Sequence, residues 1–379
     1  MKKRKIGCLI FILTLMGCGK APIQNQYQYG VNEMYEKIWE EKTNVIHNET
    51  CVMIEDDNKE KSARLLFTPT RIISVCDYSL QKEYDPSEYE IKGDRIYMTE
   101  TSTMPYLTQA NITCEVMPDS IQQTYPSTKV ESGSILFTEG AGIVMNQICV
   151  TYEKEEKWFG AIPQKYGNKF TNTYRKLLAG EPITIVAYGA STMTGCNASS
   201  ILGVEPFQET FVEGFVNSLK AKYSSEITLI NTALGGTTST WGVENVEARV
   251  QNYHPDLVLL EFGHNDACWN IKVDTYIDNM DFLIRACRAY DNKDAEVIMF
   301  ASHMANPNSD QYTFQTDYLK PLQDLANQYE GVGICDWTTL TLDIQKKKSS
   351  FDMYANNINH PADWLERVFA TALMEAFEK

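Results

Sequence analysis

Basic residues are scarce in this sequence relative to acidic ones. Among 379 residues, 34 are lysine or arginine and 50 are aspartate or glutamate, so the formal net charge is −16. Nucleic-acid binding depends on cationic contacts with phosphate, and a chain this acidic is repelled by that backbone. Nucleic acid is therefore excluded as a partner. Repeats and low-complexity tracts are absent too, and 43% hydrophobic residues in a chain of this length predict two globular domains.

The ten cysteines have none of the spacings that are typical of metal sites. The sequence contains no C-x-x-C and no Cys/His cluster at zinc spacing. Most of the eight cysteines after Cys18 lie in apolar, strand-like runs, where a free cysteine packs as a small hydrophobic side chain. We therefore expect neither a metal site nor an organic cofactor, and the spacing alone predicts no disulfide.

The apolar run near the start of the chain is too short to span a bilayer. It extends from Ile6 to Met16 after four basic residues, which predicts a signal peptide over residues 1–17. Leu15-Met16-Gly17-Cys18 resembles a bacterial lipobox, in which cleavage before the cysteine frees its thiol for diacylglycerol attachment. We expect a lipid on Cys18 and an extracellular lipoprotein on the outer face of the bacterial cytoplasmic membrane. The alternative is plain secretion without lipid.

The next part of the chain has the pattern of a β-domain. Residues 18–30 are polar and suit a tether, and residues 31–165 contain short runs rich in β-branched and aromatic residues between Asp, Asn, Gly and Pro turns. Predicted strands include Thr50–Glu55, Ala63–Phe67, Arg71–Cys76, Arg95–Met98, Ser134–Phe137 and Val144–Tyr152. This pattern predicts a β-sandwich of jelly-roll type.

Residues 166–379 follow a different rhythm, in which apolar strands alternate with amphipathic helices. The predicted strands are Ile183–Tyr188, Glu226–Asn231, Leu257–Phe262, Ala295–Ala301 and Val332–Trp337. The predicted helices are Phe207–Tyr223, Glu244–Tyr253, Tyr276–Tyr290, Phe314–Gln328 and Trp364–Phe377. The alternation indicates an α/β domain whose parallel sheet is covered on both faces. In such folds ligands bind beyond the carboxyl ends of the strands.

Four short motifs follow the strands or lie near the carboxyl terminus. They are Gly189-Ala190-Ser191-Thr192, the loop Asn231–Thr237 with Gly236, Gly263-His264-Asn265-Asp266, and Asn357-Ile358-Asn359-His360-Pro361. Serine, glycine, asparagine and histidine in this order resemble the four blocks of the SGNH (GDSL) hydrolases, over roughly residues 175–379. The resemblance implies a flavodoxin-like three-layer domain. It also implies Ser191 as nucleophile, His360 as catalytic base, and Ser191, Gly236 and Asn265 as oxyanion donors.

These residue types suit ester hydrolysis. A serine nucleophile needs a base that takes its proton and later returns it to the leaving alcohol, and imidazole titrates near neutrality. The oxyanion of the tetrahedral intermediate needs preorganised N–H donors, which two main-chain amides and the Asn265 side chain would supply. Each residue also has a structural alternative: a helix cap for Ser191, a tight turn for Gly236, turn chemistry for Asn265 and a surface position for His360.

Two positions depart from the family pattern. The usual aspartate after the first glycine is Ala190, which predicts a different support for that loop. The usual aspartate three residues before the histidine is Asn357, which could hold the ring through its amide oxygen but has no full charge. Either the enzyme uses a Ser–His dyad whose ring is held by a neutral group or a main-chain carbonyl, or Asp352 or Asp363 takes the acidic role.

Two further histidines follow strands of the α/β part. His303 comes after the fourth strand and is the competitor of His360 for the role of base. His264 occupies the variable position of the third block and is expected to shape the site.

A β-domain before an SGNH domain resembles the two-domain carbohydrate esterases. The resemblance implies an acylated carbohydrate as substrate, with acetyl as the main acyl group. Trp241 and Trp269 lie beside the predicted catalytic loops and could stack on sugar rings or simply pack. We therefore predict a serine esterase that acts on carbohydrate. The alternatives are a non-catalytic glycan-binding protein with a degenerate site, a short-chain acyl esterase, or an acyltransferase.

Labelling with a fatty acid tests the predicted lipobox directly. Cells expressing the protein are grown with a radioactive fatty acid, and we expect label on the wild type but not on Cys18→Ala, because the thiol is the attachment point. Cys8→Ala, inside the predicted signal peptide, is the matched control and should keep the label. A wild-type protein without label would contradict lipidation.

Overall fold

A computed structural model of the protein describes residues 35–379. The predicted signal peptide, the predicted tether and Cys18 lie outside the described residues. Within residues 35–379, no helix combines the length and the apolar character that crossing a bilayer requires.

The first half of the described chain forms a mainly antiparallel sheet. Its strands are β1 Val45–Glu55, β2 Lys61–Arg64, β3 Pro69–Asp77, β4 Tyr89–Lys92, β5 Arg95–Met98, β6 Tyr106–Leu107, β7 Gln123–Pro126, β8 Ser134–Phe137 and β9 Gln147–Lys154. Seven of them join in the order β3-β9-β1-β2-β5-β4, with β6 beside β1, and β7 pairs with β8 as a separate hairpin. The predicted β-domain is confirmed as an antiparallel-sheet domain, whereas the β-sandwich of jelly-roll type and the exact boundaries stay predictions.

The second half contains a five-stranded parallel sheet. Its strands are β10 Ile183–Gly189, β11 Ile227–Asn231, β12 Leu257–Glu261, β13 Glu296–Ala301 and β14 Val332–Asp336. Their order is β11-β10-β12-β13-β14, and every pair is parallel. This is the flavodoxin-like order, with a switch point between β10 and β12. All residues of β12 and β13 are buried, as in a sheet that is covered on both faces.

The helices that accompany the two sheets vary in length. They are α1 Gln109–Ile112, α2 Thr171–Ala179, α3 Ser199–Leu202, α4 Phe211–Lys222, α5 Ser239–Arg249, α6 His264–Cys268, α7 Val273–Cys287, α8 Gln315–Asn327, α9 Trp337–Gln345, α10 Ser350–Met353 and α11 Asp363–Phe377. Local signals explain individual ends. Thr210 and Glu213 form a capping box at the start of α4, and α2 ends at Gly180, whose φ of +70° suits glycine.

Helix α11 is buried along almost its whole length. It packs against α4 and β14 of the parallel-sheet half and also against β1 of the antiparallel half. Phe369 of α11 stacks on Trp337 with ring centroids 4.1 Å apart, inside a hydrophobic core that is continuous between the two halves. The carboxyl-terminal segment therefore joins the two sheets.

A buried ion pair makes the same connection. Lys348 Nζ lies 2.6 Å from Glu49 Oε1 of β1, and both side chains are 0% exposed. The Glu49 carboxylate also accepts hydrogen bonds from Leu66 N and Tyr152 Oη, at 2.9 and 2.6 Å. A charge taken out of water needs such partners, because an unpaired buried charge costs several kcal/mol.

Replacing Lys348 should strongly destabilise the fold. Lys348→Met leaves Glu49 buried without its counter-ion, so we expect the free energy of unfolding in urea to fall by about 3–5 kcal/mol. Lys346→Met is the matched control, because Lys346 is 62% exposed in its pair with Asp343, and there we expect a loss below about 1 kcal/mol. Similar losses for both variants would contradict this account.

Candidate active site

The loop after β10 presents Ser191 at the carboxyl edge of the parallel sheet. Gly189 ends this strand, and a Cβ atom there would lie 2.3 Å from the main-chain oxygen of Glu261 on neighbouring β12. Only glycine allows this close approach of the two strands. Ser191 follows two residues later, and its side chain is partly exposed. The hydroxyl is thus held on a rigid strand end while solvent can reach it.

The turn after α10 brings His360 to Ser191. Asn356 Oδ1 accepts hydrogen bonds from three main-chain N–H groups of this turn, including that of His360 at 3.0 Å. A bridge between Tyr354 and Pro361 closes the turn. His360 Nε2 lies 3.0 Å from Ser191 Oγ. This is the distance that proton transfer between a serine nucleophile and its base requires.

The other ring nitrogen of His360 contacts an asparagine that the sequence analysis did not identify. His360 Nδ1 lies 2.6 Å from Oδ1 of Asn197, in the loop before α3. Asn197 Nδ2 donates to the main-chain oxygen of Glu139 at 2.9 Å, which orients the amide so that its oxygen faces the ring. An amide oxygen can only accept, so Nδ1 carries the proton and Nε2 presents its lone pair to Ser191.

Glu139 follows β8 in the antiparallel half, and its carboxylate also reaches the ring. Its Oε2 lies 3.3 Å from His360 Nδ1, and its side chain is 54% exposed. Burial acts to raise the pKa of Glu139, but hydrogen bonding to His360, the charge of that ring and a bond from Asn356 hold the pKa below its ordinary value. Sequence patterns carry no signal for this contact, since Glu139 lies in a loop of the antiparallel half, far from His360 along the chain.

None of the three residues predicted to orient His360 does so. Asn357 donates from Nδ2 to the main-chain oxygen of Leu136 at 2.8 Å. Asp352 accepts from Val52 N at 2.7 Å, and Asp363 accepts from Ser199 N at 3.0 Å. Each of these side chains hydrogen bonds to another group and none is hydrogen bonded to His360, so these three predictions are wrong. A neutral group does hold the ring, as the dyad alternative expected, and it is Asn197.

The three predicted oxyanion donors lie on neighbouring strand-end loops. The main-chain N–H groups of Ser191 and Gly236 have no acceptor among the described residues. Gly235 faces Ser191, because a Cβ atom on it would lie 3.6 Å from the Ser191 Cβ. Asn265 Nδ2 donates one hydrogen to Thr237 O at 2.8 Å, which leaves the second hydrogen of the amide for a substrate.

Asp266 ties the loop of Asn265 to the start of α5. Its carboxylate accepts hydrogen bonds from Ser239 N, at 3.0 and 3.1 Å to its two oxygens, and from Gly263 N at 3.1 Å. The Ser239 hydroxyl donates to the same carboxylate. The buried carboxylate thus holds the third block against the helix that follows the Gly235-Gly236 loop. Preorganised donors of this kind are what an oxyanion hole needs.

Glu261 supports the Ser191 loop, in which Ala190 stands where SGNH hydrolases usually have an aspartate. Its Oε2 accepts a hydrogen bond from Ala190 N at 3.1 Å, and its Oε1 is buried without a hydrogen-bond partner among the described residues. Burial raises the pKa of Glu261 to about 7, although bonds from Ala190 and Met193 act to lower it. The different support that Ala190 predicts is therefore a carboxyl group from β12.

His264 and His303 lie beneath the site as a stacked pair. Their ring centroids are 5.2 Å apart and their planes differ by 7°. His303 is 0% exposed, and its Nε2 bonds to the main-chain oxygen of Asn359. Burial lowers the pKa of both rings, so both are neutral near pH 7. His303 therefore supports the turn of His360 and does not compete with it for Ser191.

The two predicted substrate-binding tryptophans differ in their surroundings. Trp241 packs against Tyr188, with ring centroids 5.7 Å apart, and the Arg249 guanidinium lies 5.5 Å from its ring. These contacts fit the packing alternative. Trp269 follows α6 directly and is 64% exposed, so its indole face is open to solvent beside the loop of Asn265. Stacking by Trp269 stays a prediction.

Neither a metal cluster nor a deep cavity is described at Ser191. Among residues 35–379, no group of three or more His, Cys, Asp or Glu residues is arranged to hold a metal ion. A cavity of about 470 Å³ lies between β8, the 306–308 loop and the 348–351 segment. It is lined by Leu136 and Asn357 but by neither Ser191 nor His360.

Comparison with known proteins identifies the second half of the chain. The model of the GDSL-like lipase/acylhydrolase family matches residues 187–364. Residues 187–364 thus match a GDSL-like acylhydrolase domain, which confirms the predicted family resemblance for this part of the chain. A search of curated proteins found no match.

Three of the similar solved structures are enzymes. One is a two-domain esterase active on acetylated mannans, with 18% identity and a TM-score of 0.46. The match covers 57% of this chain and 54% of that chain. Another is the acetylxylan esterase Axe2 from Geobacillus stearothermophilus, with 18% identity and a TM-score of 0.43. The match covers 52% of this chain and 94% of that chain. The third is LAE5, an α/β hydrolase from the metagenome of Lake Arreo, Spain, with 17% identity and a TM-score of 0.42. The match covers 51% of this chain and 93% of that chain. This chain thus spans about half the length of the two-domain esterase.

The raised pKa of Glu261 predicts a pH-dependent stability. In the unfolded chain Glu261 ionises near 4.5, whereas in the folded protein its pKa is about 7. The wild type therefore loses stability as the pH rises from about 4.5 past 7, by about 3 kcal/mol at about 1.36 kcal/mol per pKa unit. Glu261→Gln keeps an acceptor for Ala190 N but does not titrate.

Urea unfolding at pH 4.5 and pH 8 measures this contribution. We expect the stability of Glu261→Gln relative to wild type to rise by about 3 kcal/mol between the two pH values. Glu247→Gln, at an exposed position of α5, is the control and should show a much smaller change. A relative stability of Glu261→Gln that is the same at both pH values would contradict the assignment.

Proposed function

We propose that this chain, whose residues 187–364 form a GDSL-like acylhydrolase domain, is a serine esterase that removes small acyl groups from carbohydrate, acetyl above all. The observation that carries the proposal is the 3.0 Å contact between Ser191 Oγ and His360 Nε2. It occurs at the carboxyl edge of a parallel sheet, beside free N–H donors. A serine held in this way is equipped for acyl transfer.

The reaction follows from the positions of these groups. Ser191 Oγ attacks the ester carbonyl carbon while His360 Nε2 takes its proton, and the carbonyl oxygen becomes an oxyanion that the N–H groups of Ser191, Gly236 and Asn265 stabilise. The C–O bond to the sugar then breaks, and His360 returns the proton to the leaving hydroxyl. Water attacks the acyl-enzyme by the same steps, which releases the carboxylic acid and restores Ser191.

The surroundings of Ser191 support a short acyl group and a polar alcohol. The three described cavities lie away from Ser191, which lines none of them. The exposed indole of Trp269 beside the Asn265 loop offers a flat apolar face to a sugar ring. The acetylated mannan and xylan of the similar esterases are substrates of those proteins.

The predicted lipoprotein signal adds a location to this proposal. With a lipid on Cys18, the enzyme works outside the cell at the outer face of the cytoplasmic membrane. There it meets acylated polysaccharide before or during uptake. Without the lipid, the same enzyme is secreted.

The test is hydrolysis of 4-nitrophenyl acetate and of an acetylated xylo-oligosaccharide by the mature protein. We expect turnover that falls by about 10⁴-fold or more in Ser191→Ala and in His360→Ala, because nucleophile and base act as a unit. The matched control is His254→Asn. His254 lies on a turn with a φ of +49°, which asparagine adopts readily, so full activity is expected.

Other outcomes distinguish the alternatives. A folded wild type that binds the oligosaccharide but turns over neither substrate would contradict the esterase and favour a glycan-binding protein. Activity on 4-nitrophenyl butyrate above that on the acetate, with none on the acetylated sugar, would indicate a short-chain acyl esterase. Transfer of the acetyl group to an added sugar acceptor in preference to water would indicate an acyltransferase.

A further inference from the structure

We propose that Glu139, from the antiparallel half of the chain, is the acidic positioning residue of His360, so that both halves build the catalytic centre. This inference rests on the proposed function of Ser191 and His360. The geometry that carries it is the 3.3 Å contact between Glu139 Oε2 and His360 Nδ1, together with the 2.9 Å hydrogen bond from Asn197 Nδ2 to the Glu139 main-chain oxygen.

Two side chains together take the role that the acidic residue has in a Ser-His-Asp triad. Asn197 Oδ1 fixes the tautomer of His360 at 2.6 Å, but an amide has no full charge. During acyl transfer the ring becomes an imidazolium, which a nearby carboxylate stabilises. Glu139 is the acidic side chain with an ion-pair contact to this ring among residues 35–379. It thus supplies the charge that Asn357 lacks.

Glu139 is held in place from both sides of the molecule. The β7–β8 hairpin that precedes it is anchored to the loop after β13, where Asp310 accepts from Thr128 N at 3.0 Å and Ser127 donates to Asn308 O at 2.5 Å. On the other side, the main-chain oxygen of Glu139 accepts a hydrogen bond from Asn197 Nδ2 at 2.9 Å. These contacts hold the Glu139 segment beside the ring, although half of the side chain is exposed.

The other titratable groups that face His360 are histidines without charge. His264 and His303 couple electrostatically to His360, and burial lowers the pKa of both. Asp352 and Asp363 are bonded to other groups. The loss of the Glu139 charge should therefore be felt at His360 without compensation from another carboxylate.

Glu139→Gln in the full-length mature protein tests this role. It keeps the size and polarity of the side chain and the main-chain oxygen that holds Asn197. We expect kcat to fall about tenfold, with KM little changed, because a half-exposed charge next to an imidazolium contributes modestly. We also expect the acidic limb of the kcat/KM profile to move to lower pH, because the imidazolium loses the carboxylate 3.3 Å from its Nδ1.

Glu131→Gln is the matched control, since Glu131 is an exposed glutamate near the β7–β8 turn. It should leave kcat and the pH profile as in the wild type. An unchanged kcat and pH profile in Glu139→Gln would overturn the proposal. So would a change in KM alone, because that would assign Glu139 to substrate contact.

A second measurement separates this inference from the esterase proposal. Nitrogen-15 NMR of the histidine rings follows the titration of His360 without any substrate, with the His360→Asn spectrum as assignment. We expect the His360 midpoint to be lower in Glu139→Gln than in the wild type. An unaltered midpoint would overturn the role of Glu139 even in an active esterase. If the wild type shows no ester turnover but Glu139→Gln still lowers the His360 midpoint, only the proposed function is contradicted.

Discussion

The buried position of the carboxyl-terminal segment is the constraint on which the rest of the structure depends. Residues 348–377 lie between a parallel and an antiparallel sheet, with Lys348 paired to Glu49 and α11 packed against β1, β14 and α4. His360 belongs to this segment, so the position of the proposed catalytic base depends on both sheets. Asp352, which accepts from Val52 N, fastens the segment to β1 a few residues before that histidine.

Polar groups at the site are fixed by other polar groups, because each would otherwise be buried without a partner. Asp266 holds the Asn265 loop, Glu261 holds the Ser191 loop, and Asn356 holds the turn of His360. A hydroxyl, an imidazole and N–H donors are thereby aligned before any substrate binds. Such preorganisation is what makes N–H donors effective for a developing oxyanion. The raised pKa of Glu261 indicates the cost of burying a carboxyl group for this purpose.

Much of the parallel-sheet half could be predicted from sequence because its signals are local. The strand β12 is an apolar run, and Ser191, Asn265 and His360 were identified by their place after strands or near the chain end. The start of α5 was predicted too late, at Glu244, because threonines and Gly242 resemble a loop. In the fold, Gly242 lies inside the helix, where a Cβ atom would come within 2.8 Å of Phe262.

By itself, the sequence determined the succession of strands and helices along the second half, its resemblance to the GDSL-like family, and the residue types of the proposed nucleophile, base and donors. Only the tertiary structure decided what holds His360. Asn197, whose φ is +69°, reaches the ring from the loop before α3, and Glu139 reaches it from the loop after the β7–β8 hairpin. Asn357, at the expected spacing, bonds instead to Leu136 O. Hydrophobic periodicity encodes which face of an element is buried, but a contact between two sheets depends on how they pack.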